Sequence, residues 1–488
     1  MASDDKNDGK SDYRKWFDDP YVFDIPDATY DDLPKLVRSL KRAAIDAYVR
    51  DKMDSVVASY SCTEDEYVIS AGTMNGGSNT TRITRPDENG EGGGKVTTTT
   101  FTAFGYSKDA SDDMTGEFEN IREEIDAILK PWIDLPDPKR IDEEVGKCQQ
   151  SASKLAEKAQ VSGGKIIAGG KIPTKVASIH DELVEMGGVT METFKSDIIE
   201  NLGEIVGALY AATTFWGATM SSEHEIFKKT RESVVSAIVG GITIFNDVAE
   251  DDHGKLEFAL DIANFAVEGF KTFSGIEAIG KAADVASLGL KAIEKIKDEK
   301  PKPKTASSYT EGLNALKEAL FDINRSVRKS EKALEDNLVS NMQGMYRNRA
   351  IYDLKVKATE SSEIKTSDKV HIDQSRIDNI LGPSKHTIVE QLDLAWTSIS
   401  NVHMTDCVIR DSRVGIGLRG PSSKFHDFKW LLHDLTKRLS RDTQNAFKNF
   451  ELAIECIQQQ DAQSKRNLDS MRGSIEDESG PDPWQDRD

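Results

Sequence analysis

The spacing of apolar positions divides the chain into long helical stretches with one β-like interval near the N-terminus. From Leu33 to Ser59, apolar residues recur at Leu36, Leu40, Ala44, Ala47, Val56 and Val57. That is helical spacing, and Pro34 stands where a first turn tolerates a missing N–H. The period then changes. Tyr67-Val-Ile-Ser, Thr81-Arg-Ile-Thr and Lys95-Val-Thr-Thr-Thr-Thr-Phe-Thr-Ala-Phe are β-branched and aromatic, separated by Asn75-Gly-Gly and Asn89-Gly-Glu-Gly-Gly-Gly. Turn residues between such runs predict a two- or three-stranded β excursion.

After Thr115 the helical period returns. A helix over roughly 115–130 must end at Pro131-Trp-Ile-Asp-Leu-Pro-Asp-Pro, because those prolines forbid continuation. Another is expected from about Ile141 to Ala159, then a flexible loop at Gly163-Gly-Lys-Ile-Ile-Ala-Gly-Gly-Lys, then long helices at about 176–220, 222–250 and 255–297. Lys300-Pro-Lys-Pro-Lys reads as a stiff charged linker. Leu313, Leu316, Leu320, Ile323, Val327, Leu334 and Leu338 form a stripe at steps of mostly three or four residues. Residues 359–422 are looser, broken by Gly382-Pro and Gly420-Pro. The stripe resumes at Phe428, Leu432, Leu435, Leu439, Ala446, Phe450, Ala453 and Ile457. No period of 20–50 residues is present, which argues against a solenoid.

Charge changes the picture at the ends. The 488 residues carry 63 basic and 84 acidic side chains, a balance of −21, which disfavours a simple nucleic-acid binder. Ten acids against four bases lie in residues 1–32, among Trp16, Phe17, Tyr21 and Phe23, and six acids against one base lie in the last thirteen residues. These ends supply about half of the net charge, so the middle is only mildly acidic. The start, Met1-Ala-Ser-Asp-Asp-Lys-Asn-Asp, has neither a positive region nor an apolar stretch, and no classical signal peptide is expected. Cys62, Cys148, Cys407 and Cys456 are isolated, which disfavours a disulfide scaffold or structural zinc.

Candidate chemistry is thin. Gly415-Ile-Gly417-Leu-Arg-Gly420 matches G-x-G-x-x-G, but Pro421 follows at once and no strand–helix series surrounds it, so a connector is expected rather than a nucleotide loop. His426 and His433 are seven residues apart, roughly 10 Å along a helix axis, too far to share one ion. Glu250-Asp-Asp-His253 reads as a charged helix-to-helix turn. No nucleophile has a local signature such as G-x-S-x-G. No enzymatic activity, cofactor or metal site is therefore expected. Gly203–Phe245 is rich in small and apolar residues around Phe215, Trp216 and Phe245, which reads as the buried core of a helical hairpin or, less expected, as a membrane-inserting element of an α-helical pore-forming toxin. Phe258, Leu260, Ile262, Phe265, Val267 and Phe270 continue the apolar theme, interrupted by Asp261, Glu268, Glu277 and Asp284 as in an amphipathic helix.

Taken in order, the proline-rich turn at 131–138, the run from Phe194 to Tyr210 into Ala211-Ala-Thr-Thr-Phe-Trp-Gly, Glu225-Ile-Phe-Lys-Lys-Thr-Arg-Glu-Ser-Val-Val, the small-and-apolar segment 255–297 and the stripe 313–357 resemble the large helical WxG-like (ESX-type) proteins that actinobacteria associate with type VII secretion. The resemblance covers roughly residues 115–357. It implies antiparallel helical hairpins, export without a classical signal peptide, and self-association or pairing with a helical partner. It also implies a hairpin turn or partner contact at Phe215, Trp216 and Gly217, although the chain has no W-x-G. An export signal of the form Tyr-x-x-x-Asp/Glu is approximated by Phe447 and Glu451, with Phe in place of Tyr.

The expected fold is mainly α: an elongated antiparallel helical bundle with a small β-hairpin insertion near the N-terminus. Its parts are an acidic arm at 1–32, a helix plus β-hairpin at 33–114, a WxG-like helical domain at 115–297, a linker at 298–312, a C-terminal helical domain at 313–471 and an acidic disordered tail at 472–488. The expected role is non-enzymatic, in or beside a type VII secretion system, secreted or at the cell surface. A pore-forming or membrane-active protein and a cytoplasmic coiled-coil scaffold are the alternatives.

Overall fold

The computed structural model describes residues 28–53, 59–72, 78–102, 105–109, 113–162, 165–250, 254–256, 304–355 and 371–477. It is mainly helical, with a small antiparallel sheet near the N-terminus. The chain enters through Thr29, whose backbone N–H and hydroxyl both donate to Asp32, into α1 (Leu33–Met53). Leu36, Leu40, Ala44 and Ala47 are all buried along one side of α1, as their spacing predicts. The rest of the acidic arm, with Trp16, Phe17, Tyr21 and Phe23, lies outside the described residues.

The β excursion is larger than expected. Five strands, β1 (Ser59–Cys62), β2 (Glu66–Gly72), β3 (Ser78–Thr84), β4 (Val96–Thr102) and β5 (Gly105–Asp109), form a sheet in simple sequence order, each antiparallel to the next. The first and last strands, Ser-Tyr-Ser-Cys and Gly-Tyr-Ser-Lys-Asp, are short and polar, and so carry little alternation to reveal them. Cross-strand hydroxyl pairs such as Thr81–Thr98 hold the Thr-rich strands together. The sheet is fixed to α1 by a buried polar contact. Tyr67 donates to Asp46 at 2.6 Å, and Arg85 grips both oxygens of the same carboxylate at 3.0 and 2.5 Å. Burial, then the Asp46 charge, pushes the Tyr67 hydroxyl far above its ordinary pKa, so it remains a donor.

α2 (Thr115–Leu129) ends before Pro131, and α3 (Pro138–Leu155) starts at a proline after an Asp137 cap that accepts from the Lys139 N–H. The glycine-rich stretch that follows is not a loop but a hairpin of β6 (Lys158–Ser162) and β7 (Lys165–Gly169). Gly169 ends β7, and Val161, Ile166 and Ile167 lie within the strands. α4 (Lys171–Val184) comes next.

The helices expected at 176–220 and 222–250 divide elsewhere. The break falls at Gly187-Gly188, and α5 then runs without interruption from Val189 to Ala249, with a π-helical turn at Phe194–Ile199. β8 (Gly254–Leu256) pairs antiparallel with β9 (Lys304–Ala306), which leads into α6 (Tyr309–Arg347) through a Ser308 cap. The apolar segment 257–297, the turn Asp251–His253 and the start of the linker lie outside the described residues. The remainder of the linker region forms β9 and the first turn of α6.

The looser section contains more helix than its sequence suggests. α7 (Gln374–Asn379) passes through a π-helical turn, Ile380–Ser384, into α8 (Lys385–Ser400). Pro383 cannot donate a backbone hydrogen bond, and the wider turn accommodates it without ending the helix. Gly420-Pro421 does end a connector, and α9 (Ser422–Asp477) begins directly after it. The last residues of α9 fall inside the expected disordered tail, and 478–488 lie outside the described residues.

α5 is the central element, and its neighbours assemble around it with defined polarity. Tyr30 lies under Arg231 and Leu40 reaches Gly241, so α1 runs parallel to α5. Leu135 accepts from Arg231 and Cys148 donates to the Thr213 carbonyl, so α3 runs antiparallel. Phe245 stacks on Tyr309 while Glu223 faces the level of Glu331, so α6 is antiparallel as well. Phe215 meets Phe428 and Phe194 stacks on Phe450 at 4.1 Å, giving α9 the same sense. Residues expected in separate domains on either side of the linker share one continuous core.

Candidate functional site

Because α5 is apolar and deeply packed, every polar group within it needs a partner. Thr213, Thr214, Thr219, Ser222 and Thr230 turn their hydroxyls back onto the carbonyl four residues earlier, at 2.7–3.0 Å. One charged side chain on the helix is fully enclosed. Glu223 has no exposed surface, and neither of its oxygens receives a hydrogen bond from an N–H donor among the described residues.

Opposite Glu223, the apolar stripe of α6 contains Glu331, also fully buried. Between them sits Arg410, supplied by the connector from α8 to α9. Its guanidinium bonds Glu331 directly and stands 3.9 Å from Glu223. Arg410 also donates to the Val408 and Val414 carbonyls and covers the ring of Phe227, 4.9 Å from its centroid. The second oxygen of Glu331 accepts from the Ile416 backbone N–H at 2.8 Å. Asn324 holds the same connector, accepting from the Gly415 N–H at 2.7 Å and donating to the Arg413 carbonyl at 2.9 Å.

This arrangement explains the G-x-G-x-x-G run as a packing requirement. Gly415 has φ +62°, and a Cβ there would stand 2.0 Å from Glu331 Oε2. Gly420 has φ +49°, and a Cβ there would stand 2.7 Å from both Arg410 and Glu331. The backbone must pass against the buried pair at both positions, which only glycine permits. No phosphate-binding role is needed to account for them.

Two carboxyls facing one guanidinium in a dry interior cannot both remain charged without leaving a net negative charge. Burial first, and then the Glu331 charge, pushes Glu223 well above the ordinary carboxylate range, against the opposing pull of Arg410. Glu331 is also raised by burial, but Arg410 and the Ile416 N–H hold it back. Burial therefore favours the neutral form at Glu223, while Arg410 and the Ile416 N–H favour the charged form at Glu331. The cluster is neutral as a whole and joins α5, α6 and the connector.

The residues singled out from sequence lie elsewhere. Phe215, Trp216 and Gly217 are in the middle of α5, buried, with no turn near them. The hairpin-turn expectation fails because Ala211-Ala-Thr-Thr before them and Ala218-Thr-Met after them continue a helical face packed on α3 and α9. Nor are these side chains available to a partner. Phe447 is fully buried against Phe194, and Glu451 is half-buried, 3.7 Å from Lys385. His426 accepts from the indole N–H of Trp430, and His433 stands edge-on to Trp396 and Trp430. A groove of about 440 Å³ opens between the start of α5 and α9, lined by Val189, Phe194, Ile198, Leu354, Phe450 and Ala453 among others.

Glu223 and Glu331 did leave a trace in the sequence. Glu331 occupies the step between Val327 and Leu334 in the apolar stripe, and Glu223 sits four residues from both Thr219 and Phe227. An acid on a buried stripe is the signal for an internal ion pair. Arg410 gives no comparable sign, since its place depends on how the connector folds. No protein-family model, curated protein or solved structure matches this chain.

Proposed function

We propose that the chain is a membrane-active helical protein of the pore-forming kind. The observation carrying this reading is the β8–β9 ladder at one end of the antiparallel α5–α6 pair, where Leu256 stands opposite Lys304. Residues 257–303 leave and return at that one point, and their sequence holds Phe258, Leu260, Ile262, Phe265, Val267, Phe270 and Phe273 with acids and lysines between them. A sequence of that amphipathic pattern, joined to the chain beside the end of a helical pair, suits insertion into a lipid surface, where its polar side can line water or face a second copy. α5 itself is long and apolar enough to cross a bilayer, and its packing within the chain keeps it in the core of the water-soluble form.

Dye-loaded vesicles of phosphatidylcholine and phosphatidylglycerol test the reading. The full chain should release dye in acidic, neutral or alkaline buffer, or after limited proteolysis, and a double substitution F265D and F270D should abolish release while leaving the helical circular dichroism unchanged. Intact vesicles under all of these conditions would overturn it.

A second reading has support in the antiparallel pairing of α5 and α6. It is that of a non-enzymatic helical protein, built as an elongated antiparallel bundle, that is exported by or acts with a type VII secretion system through protein contacts. It expects the extracellular amount to collapse when the secretion ATPase of the source organism is deleted; an unchanged amount removes this reading.

A further inference from the structure

We propose that Glu223, Glu331 and Arg410 form a proton-held latch, in which a proton on Glu223 keeps the connector at 401–421 closed on α5 and α6, and its loss as pH rises releases the connector. The proposal does not depend on the membrane reading.

Three facts of geometry carry it. All three side chains are fully buried, so none can exchange its partner for water while the connector is closed. The connector meets the cluster through its backbone as well as through Arg410, because the Ile416 N–H donates to Glu331 and Gly415 and Gly420 lie against the pair. Finally, the two carboxyls outnumber the guanidinium. The charged groups whose field acts on Glu223 are Glu331, from α6, and Arg410, from the connector. On α3, the contacts of Arg231 with Leu135 and of Thr213 with Cys148 bring the turn containing Arg140 and Glu144 to this level of α5, and Glu144 is committed to Lys147 and the His403 N–H. The nearby Asp411–Arg413 pair is solvent-facing and self-paired at 2.9 Å.

The direction of the pH effect follows. In the closed state Glu223 keeps its proton, whereas once exposed to water it ionises near an ordinary pH of about 4.3. Above that value the closed state binds one proton more than the open state. The stabilisation is fully present in acid and is lost progressively as pH rises toward the elevated closed-state pKa of Glu223. One coupled proton corresponds to about a tenfold change in the opening equilibrium for each pH unit.

Hydrogen exchange of the Ile416 amide in the full chain, corrected for its intrinsic rate, measures this opening. In the wild type its protection should fall about tenfold per pH unit as pH rises from about 4.3 toward the raised closed-state value. In Glu223→Gln, which keeps a neutral hydrogen-bonding side chain at every pH, protection should be nearly flat. Protection independent of pH in the wild type, or equally steep in both proteins, would overturn the latch. Infrared spectroscopy of the wild type gives a second reading that does not require the variant to fold. A protonated carboxyl C=O stretch should be present at neutral pH and vanish as Ile416 protection is lost, and absence of that band at neutral pH overturns the proposal.

Discussion

At the scale of single residues, burial decides what a substitution does. Leu320 is 3% exposed on the stripe of α6, while Lys329, nine positions on, is exposed. Leu320→Asp removes an apolar side chain and places a charge where water cannot reach, and should lower stability by about 4 kcal/mol. Lys329→Asp should shift it by less than about 0.5 kcal/mol. Urea titrations followed by far-UV circular dichroism separate the two, and equal midpoints would show that the stripe does not face the core. The buried acids are the same lesson reversed. Glu223 and Glu331 lie on stripes where an apolar residue would be unremarkable, and Arg410, the Ile416 N–H and the neutral form of Glu223 together make their burial tolerable.

At the scale of elements, the connector to α9 shows how a motif can match one chemistry and serve another. Gly415→Ala would drive a methyl group into Glu331 at a left-handed backbone position, whereas a Cβ at Gly417 (φ +129°) meets nothing within 4 Å. Gly415→Ala should therefore cost several times as much stability as Gly417→Ala, whose penalty is backbone strain of about 1–3 kcal/mol. Thermal denaturation of both variants measures the difference, and a nucleotide-binding loop would show no such ranking. Much of the helical architecture was legible in this way of reading. The stripes at 313–338 and 428–450 lie against the core, whereas Ala453 and Ile457 are only partly covered, and the turn at Pro131 falls where proline chemistry puts it. The failures share a cause. Strands β1, β5, β6 and β7 are short, and polar or glycine-flanked, so local pattern is weak; α7 and α8 are divided by a proline that the π-turn absorbs; and the α5 boundary depends on tertiary packing over Phe215 and Trp216. The buried cluster was only half visible, because stripe position marks an acid as internal but cannot name the arginine that meets it.

At the scale of the whole molecule, one core runs from α1 to α9 around α5, so the chain should lose its structure in concert rather than domain by domain. The antiparallel α5–α6 contact extends from Glu223–Glu331 to Phe245–Tyr309, a length of about 33 Å along α5. The β8–β9 ladder closes the far end of that contact. Directly opposed strand residues stand only about 5 Å apart, so a two-residue turn can bridge Leu256 to Lys304 with little loop-closure cost. The intervening 257–303 can then be replaced by such a turn without pulling the β8–β9 ladder apart. A chain in which Asn-Gly replaces it should retain the helical spectrum and the Ile416 protection of the parent; loss of either would mean that those residues contribute to the fold itself.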